Sequence, residues 1–140
     1  MDVKQHEKEH NRIIEQINEI DLDQCDPVSI AKAEYLYAKA RIIAYKIAGH
    51  YKAEQKYYEA QAEIQQGLGY KKIRRGEMED YKDMKAAADA QYLSRITKGK
   101  QLAEAAKYEG LYTQWKGIAD TYQDAVNALK DLIKAIKDGE

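Results

Sequence analysis

The stretch "LYTQWKGIADTYQDAVNALKDLIKAI", residues 111–136, carries the clearest structural pattern of this 140-residue chain. Its large apolar residues recur every three or four positions, which is the spacing of one face of an α-helix. They are Leu111, Trp115, Ile118, Tyr122, Val126, Leu129, Ile133 and Ile136. Such a face needs another helix to cover it, so the stretch predicts an all-α fold.

The rest of the chain follows the same period. Residues 4–21 carry isoleucines at helical spacing and predict a short N-terminal helix. A second helix is predicted from Pro27 to about residue 66, where Gly67 ends it. A third is predicted from about 77 to 137, with Gly99 as the candidate position of a break.

The segment "GLGYKKIRRG", residues 67–76, is predicted to be the turn that folds the two long helices into an antiparallel hairpin. This turn places Ala44 opposite Gly99, two small residues that let the helices approach closely. In that register the second helix covers the third only up to about residue 115. The apolar face beyond is left for the N-terminal helix or for another copy of the chain.

The sequence therefore predicts a homo-oligomer, since a thin hairpin has little interior of its own. The predicted interface residues are Trp115, Ile118, Tyr122, Leu129 and Ile133.

The sequence lacks the features of membrane, exported and disulfide-bonded proteins. No run of about 18 apolar residues and no charged-then-apolar leader is present, so the sequence predicts neither membrane insertion nor export and favours the cytoplasm. Cys25 is the single cysteine, which excludes an intramolecular disulfide.

Positive charge is concentrated in the predicted turn, although the net charge of the chain is only −1. Lys71, Lys72, Arg74 and Arg75 lie within 67–76 with no acidic residue among them. A local cationic cluster of this kind is typical of a polyanion-binding tip, and Lys52 and Lys56 are further candidates for the same role. The alternative is a solvated turn between helices.

Sequence motifs for catalysis are weak. "HEKEH", residues 6–10, matches the H-E-x-x-H zinc pattern, but its polar flanks, terminal position and missing third ligand favour solvated histidines. Phosphate-binding glycine loops, cysteine pairs and serine elbows do not occur. The sequence thus predicts no enzyme, no metal and no cofactor.

The order of these features resembles a known family. A short N-terminal segment, a long helix, a basic glycine-rich middle, "DMKAAADA" and the tryptophan-containing stretch that ends in "ALKDLIKAIK" are similar to the UvsY-like recombination mediators of T4-type phages. The likeness is densest from about Tyr81 to Lys137.

The resemblance implies a ring-like homo-oligomer in a host cytoplasm. Such a mediator binds single-stranded DNA, helps to displace the single-strand binding protein and loads a RecA-type recombinase. This role needs repeated cation contacts to phosphates rather than a catalytic residue. The competing hypothesis is a helical-hairpin adaptor, scaffold or phage inhibitor that acts only through contacts with other proteins.

Overall fold

The computed structural model describes most of the chain, namely residues 2–23, 26–75 and 87–139. These residues form three helices, which are α1 (Val3–Asn18), α2 (Pro27–Arg75) and α3 (Ala87–Asp138). The described ranges contain no strand, so the all-α prediction is confirmed. None of these helices is long and apolar enough to cross a membrane. The predictions that involve Cys25, Gly76 and residues 77–86 fall outside the described residues.

The N-termini of α1 and α2 are both capped by aspartate. The Asp2 carboxylate accepts a hydrogen bond from the backbone N–H of Gln5 at 3.2 Å. Asp26 accepts from the N–H of Val28 at 3.3 Å and from the hydroxyl of Ser29 at 3.0 Å. These bonds satisfy N–H groups that have no partner within the helix, which fixes where each helix begins.

Helix α2 is longer than the sequence predicted. It continues through Arg75, so residues 67–75 are helical, and the predicted turn at 67–76 is wrong for this part. The glycines cost about 1 kcal/mol each in a helix interior. Two effects offset that cost: Gly69 packs close to Ser94, and cations in the last turn interact favourably with the helix dipole.

The helices pack into two compact units. Unit 1 comprises residues 1–50 and 111–140, and unit 2 comprises residues 51–110. The core of unit 1 is built from large aliphatic side chains together with alanines. Ile30, Ala33 and Leu129 form a buried cluster, and the partly buried side chains packed against it are Ile20, Leu22, Tyr37, Leu132, Ile133 and Ile136.

Unit 2 has a core of small residues. Ala62 on α2 and Ala90 and Ala105 on α3 are buried there. A Cβ at Gly69 would lie 3.9 Å from the Cβ of Ser94, so the two backbones approach closely at this point. The aromatic contribution is a stack of tyrosines, in which the rings of Tyr58 and Tyr108 are 5.5 Å apart and almost parallel.

Within each unit α2 and α3 run antiparallel, but their register differs from the predicted one. In unit 1 the hydroxyl of Tyr45 donates to Asp120 at 2.7 Å, whereas the predicted register put residue 98 opposite Tyr45. In unit 2 the Gly69–Ser94 contact is shifted in the same direction. Because α2 is nine residues longer than predicted, the chain reverses its direction later in the sequence. Each residue of that delay raises the sum of two facing residue numbers by two.

The corrected register changes the role of the predicted small-residue contact. Gly99 is exposed with open space around it, and α3 continues through it without a break. Ala44 is instead fully buried within unit 1. The predicted Ala44–Gly99 packing is therefore wrong, and Gly69 with Ser94 is the close approach that the structure contains.

The face of α3 that was predicted to be an oligomer interface is partly covered within the chain itself. The apolar face of α3 is covered inside unit 1 by α1 and the first half of α2, because the shifted register brings α2 over it. The five predicted interface residues are Trp115, Ile118, Tyr122, Leu129 and Ile133. Leu129 is buried, and the other four are half-buried. Leu129 is thus a core residue of unit 1, and the role of the five residues in an oligomer stays a prediction.

Candidate nucleic-acid interface

The four predicted cations lie on the last two turns of α2. Lys71, Lys72, Arg74 and Arg75 are all exposed. At about 100° per residue they fall within roughly 160° of the helix circumference. Gly69, which faces α3, lies outside this arc. The helix therefore presents the four charges on the side that points away from its partner helix.

The helix dipole of α2 stabilises cations at the end of the helix. Three of them, Lys72, Arg74 and Arg75, are in the last turn of α2. There the partial negative charge of the carbonyl ends stabilises cations by about 0.3–1 kcal/mol. This interaction is a structural reason for basic residues at the end of a helix. It does not account for Lys71 or for the cations on the neighbouring helix.

Helix α3 adds cations at the same end of unit 2. The Gly69–Ser94 contact places Arg95, which is exposed, at about the level of residue 68 of α2. In this register residues 64–75 face residues 88–99, and the two segments together contain six Lys and Arg and one carboxylate, Asp89. Lys98 is bound to Glu63 at 2.8 Å, which neutralises one of the six. Further acidic residues lie in sequence at 77, 79, 80 and 83, outside the described residues.

An exposed aromatic ring accompanies the cations. Tyr92 is 66% exposed and lies on α3, two residues before Ser94, at about the level of Lys71. Tyr92 lies about 160° around α3 from Ser94, so its ring is on the side of α3 away from α2. A tyrosine ring in this position can stack on an unpaired base. The end of unit 2 that carries Lys71, Lys72, Arg74, Arg75, Arg95 and Tyr92 is called the basic end below.

Lys52 and Lys56 are not part of the basic end. Lys56 lies about 22 Å along α2 from Lys71. It forms a 3.6 Å ion pair with Glu59. Lys52 donates to Gln55, whose amide donates in turn to Glu59. These two lysines therefore lie beside acidic and amide side chains and apart from the four cations at the end of the helix.

The histidine motif near the N-terminus proves to be structural. His10 is only 7% exposed, so the prediction that it is solvated is wrong. Its Nε2 lies 2.7 Å from the hydroxyl of Tyr122, and its Nδ1 lies 3.1 Å from the side-chain oxygen of Asn11. The edge of Trp115 packs against the imidazole at a centroid distance of 5.0 Å. Both ring nitrogens are thus engaged within unit 1.

Two tyrosines of unit 1 have raised pKa values. Burial, with a further contribution from Tyr37, raises the pKa of Tyr122 above its ordinary value. The hydrogen bond to Asp120 raises the pKa of Tyr45, although that hydroxyl is at the surface. Both hydroxyls therefore stay protonated near neutral pH and remain able to donate. Among the described residues, no group of three or more metal-ligating side chains comes together.

Sequence reasoning found the cations of α2 but missed Arg95 and Tyr92. Both residues are unremarkable in sequence, because they lie about 20 positions from the α2 cluster. Only the correct register brings them to its level. No family model matches the chain, and no curated protein and no solved structure shows significant similarity to it.

Proposed function

We propose that this protein binds single-stranded DNA through the basic end and acts, as a homo-oligomer, as a non-enzymatic recombination mediator. The observation that supports DNA binding is the charge of the two paired segments, 64–75 and 88–99, which hold six Lys and Arg and one carboxylate. The chain as a whole is slightly acidic, with a net charge of −1. Such a local concentration attracts phosphates at contact distance, whereas the acidic remainder is largely screened beyond about 10 Å.

The arrangement suits single strands better than duplex DNA. Cations on two neighbouring helix surfaces can follow a flexible backbone, and the exposed ring of Tyr92 has a base to stack on only when bases are unpaired. Contacts of this kind carry little sequence preference. One subunit makes few of them, so useful affinity requires several subunits on the same strand.

The mediator role itself rests on the resemblance to UvsY-like proteins. It adds the recombinase and the single-strand binding protein as partners and the host cytoplasm as the location. A direct test adds the protein to a RecA-type recombinase on DNA covered with single-strand binding protein. A mediator shortens the lag before recombinase filaments form, and a protein that only binds DNA leaves the lag unchanged.

The first prediction concerns the α2 cations of the basic end. Changing Lys71, Lys72, Arg74 and Arg75 to Ala should weaken binding to a labelled single strand by at least tenfold at low salt. The slope of log affinity against log salt should also become shallower by about 0.7 for each phosphate that the variant no longer neutralises. Fluorescence anisotropy at several salt concentrations measures both quantities.

A matched control removes the same charge elsewhere. Lys116, Lys130, Lys134 and Lys137 are exposed on α3 in unit 1, and their change to Ala should leave the salt slope nearly as it was. Equal losses of affinity in the two variants would mean that net charge, rather than the basic end, governs binding. A Tyr92→Phe variant that binds normally and a Tyr92→Ala variant that binds weakly would establish stacking.

The second candidate function is protein–protein interaction alone. Large apolar side chains on the outer side of α2 favour it, because Val28 and Tyr35 are 76% and 63% exposed. Unmutated protein that shows no binding to single-stranded DNA at low salt would support this candidate and exclude the DNA-binding proposal.

A further inference from the structure

A stripe on α2 of unit 1 combines large apolar residues with lysines. Val28, Tyr35 and Ile42 recur every seven residues and are 76%, 63% and 50% exposed. Lysines follow each of them four positions later and are exposed as well. The basic stripe consists of Val28, Lys32, Tyr35, Lys39, Ile42 and Lys46.

The basic stripe points away from the core of its own unit. The buried α2 positions Ala33, Ala40 and Ile47 lie about 100–140° around the helix from the stripe. Glu34 is the only carboxylate of α2 between 28 and 46. At about 100° per residue, Glu34 lies well over 90° around the helix from the lysines. The stripe is therefore a row of apolar knobs beside an uncompensated row of positive charge.

A complementary stripe lies on α3 of the same unit. It has small residues, one threonine and two alanines, at seven-residue spacing, and an aspartate follows each of them three positions later. The acidic stripe consists of Thr121, Asp124, Ala128, Asp131, Ala135 and Asp138, all exposed. It lies on the side of α3 away from the buried Val126 and Leu129. The three lysines of α3 in this range, Lys130, Lys134 and Lys137, lie to one side of it.

The two stripes match in period, size and charge. Each repeats every seven residues over three repeats, which is about 10.5 Å per repeat along a helix. Large residues such as Tyr35 can enter the spaces above Thr121, Ala128 and Ala135, as knobs enter holes between paired helices. The three lysines can then each approach an aspartate.

We propose that the basic stripe of one subunit binds the acidic stripe of a second copy of this chain. Pairing two basic stripes would place like charges together, so charge disfavours a symmetric contact between two α2 helices. The proposed contact uses two different surfaces of the same molecule. A heterologous contact of this kind leaves one basic and one acidic stripe open after each addition, and it closes only in a ring.

The proposed function includes self-association, and the inference rests on it because it names the two surfaces through which the subunits associate. It concerns assembly without nucleic acid, so its test is independent of DNA binding. Failure of the stripes to pair would leave the basic end and its phosphate contacts untouched. Loss of DNA binding in the basic-end variant, conversely, says nothing about the stripes.

The experiment is a charge swap read by sedimentation velocity. In the first variant Lys32, Lys39 and Lys46 become Glu, and in the second Asp124, Asp131 and Asp138 become Lys. Each variant should associate at least tenfold more weakly than the unmutated protein, because each presents two stripes of like charge. An equimolar mixture of the two should assemble again, since every contact then joins opposite charges.

A third variant carries all six changes. It should assemble alone, because the stripes are again complementary with their signs exchanged. Circular dichroism of each variant checks that the helices are intact, as expected for substitutions at exposed positions. Assembly of the unmutated protein should also weaken as salt is raised from about 0.05 to 0.5 M.

Three results would overturn the proposal. The first is association of either triple variant at the unmutated strength, which would put the interface elsewhere. The second is two dissociated variants whose mixture stays dissociated, which would mean that the stripes do not meet each other. The third is an unmutated protein that remains monomeric at all concentrations and salt levels.

Discussion

Leu129→Asp is expected to unfold unit 1 rather than only to separate subunits. Leu129 is buried against Ile30 and Ala33, so the substitution removes apolar packing and introduces a carboxylate without a partner. The cost is on the order of 4 kcal/mol or more. That is a large part of the roughly 5–15 kcal/mol that stabilises a typical domain. Urea unfolding followed by circular dichroism and by the fluorescence of Trp115 measures the loss.

Asn127→Asp is the matched control for this substitution. It introduces the same residue and the same charge two positions away, at an exposed site. The carboxylate can still accept the hydrogen bond that Gln123 donates to Asn127 at 3.0 Å. We expect a change of less than about 0.5 kcal/mol. A Leu129→Asp protein that stays folded but becomes monomeric would return this face of α3 to the role of an oligomer interface.

The opposite effect is expected when three exposed glycines are replaced. Gly49→Ala, Gly99→Ala and Gly110→Ala place a methyl group where nothing lies within 4 Å. All three sit inside continuous helices, where alanine is favoured over glycine by about 1 kcal/mol per position. The combined variant should therefore gain about 2–3 kcal/mol and melt roughly 10 °C higher.

Gly139→Ala provides the comparison. It lies beyond the end of α3, and its new Cβ would be only 3.3 Å from the carbonyl oxygen of Ala135. We expect no gain there. Thermal melts at low protein concentration separate the effect on the fold from any effect on assembly. If the triple variant melted no higher than the unmutated protein, the space around these glycines would have to be filled by another molecule.

The helices were predictable because their signal is local. Apolar residues three and four apart identified all three, and Pro27 predicted the start of α2. The end of α2 depends on a tertiary contact, the packing of Gly69 on Ser94, which outweighs the low helix propensity of glycine. No local pattern contains that information. The error of nine residues at this end then propagated into the whole register.

The same distinction between local and tertiary information explains which residues of the candidate site were predictable from the sequence. The α2 cations were visible from charge alone, since four of them lie within five residues. Arg95 and Tyr92 join them only through the pairing of α2 with α3. His10 was misjudged because its neighbours in sequence are polar, whereas the groups that bury it, Tyr122 and Trp115, are more than 100 residues away.

The small-residue core of unit 2 has a consequence for the motions of the chain. Ala62, Ala90 and Ala105 allow close approach, but each buries far less apolar surface than Ile30 or Ile47 in unit 1. At about 25 cal/mol per Å² of buried apolar area, local opening costs less free energy in unit 2. Backbone amide protons of residues 55–70 should therefore exchange with solvent sooner than those of residues 30–47. One uninterrupted helix, α2, would then behave as two cooperative segments, with the basic end on the one that opens more readily.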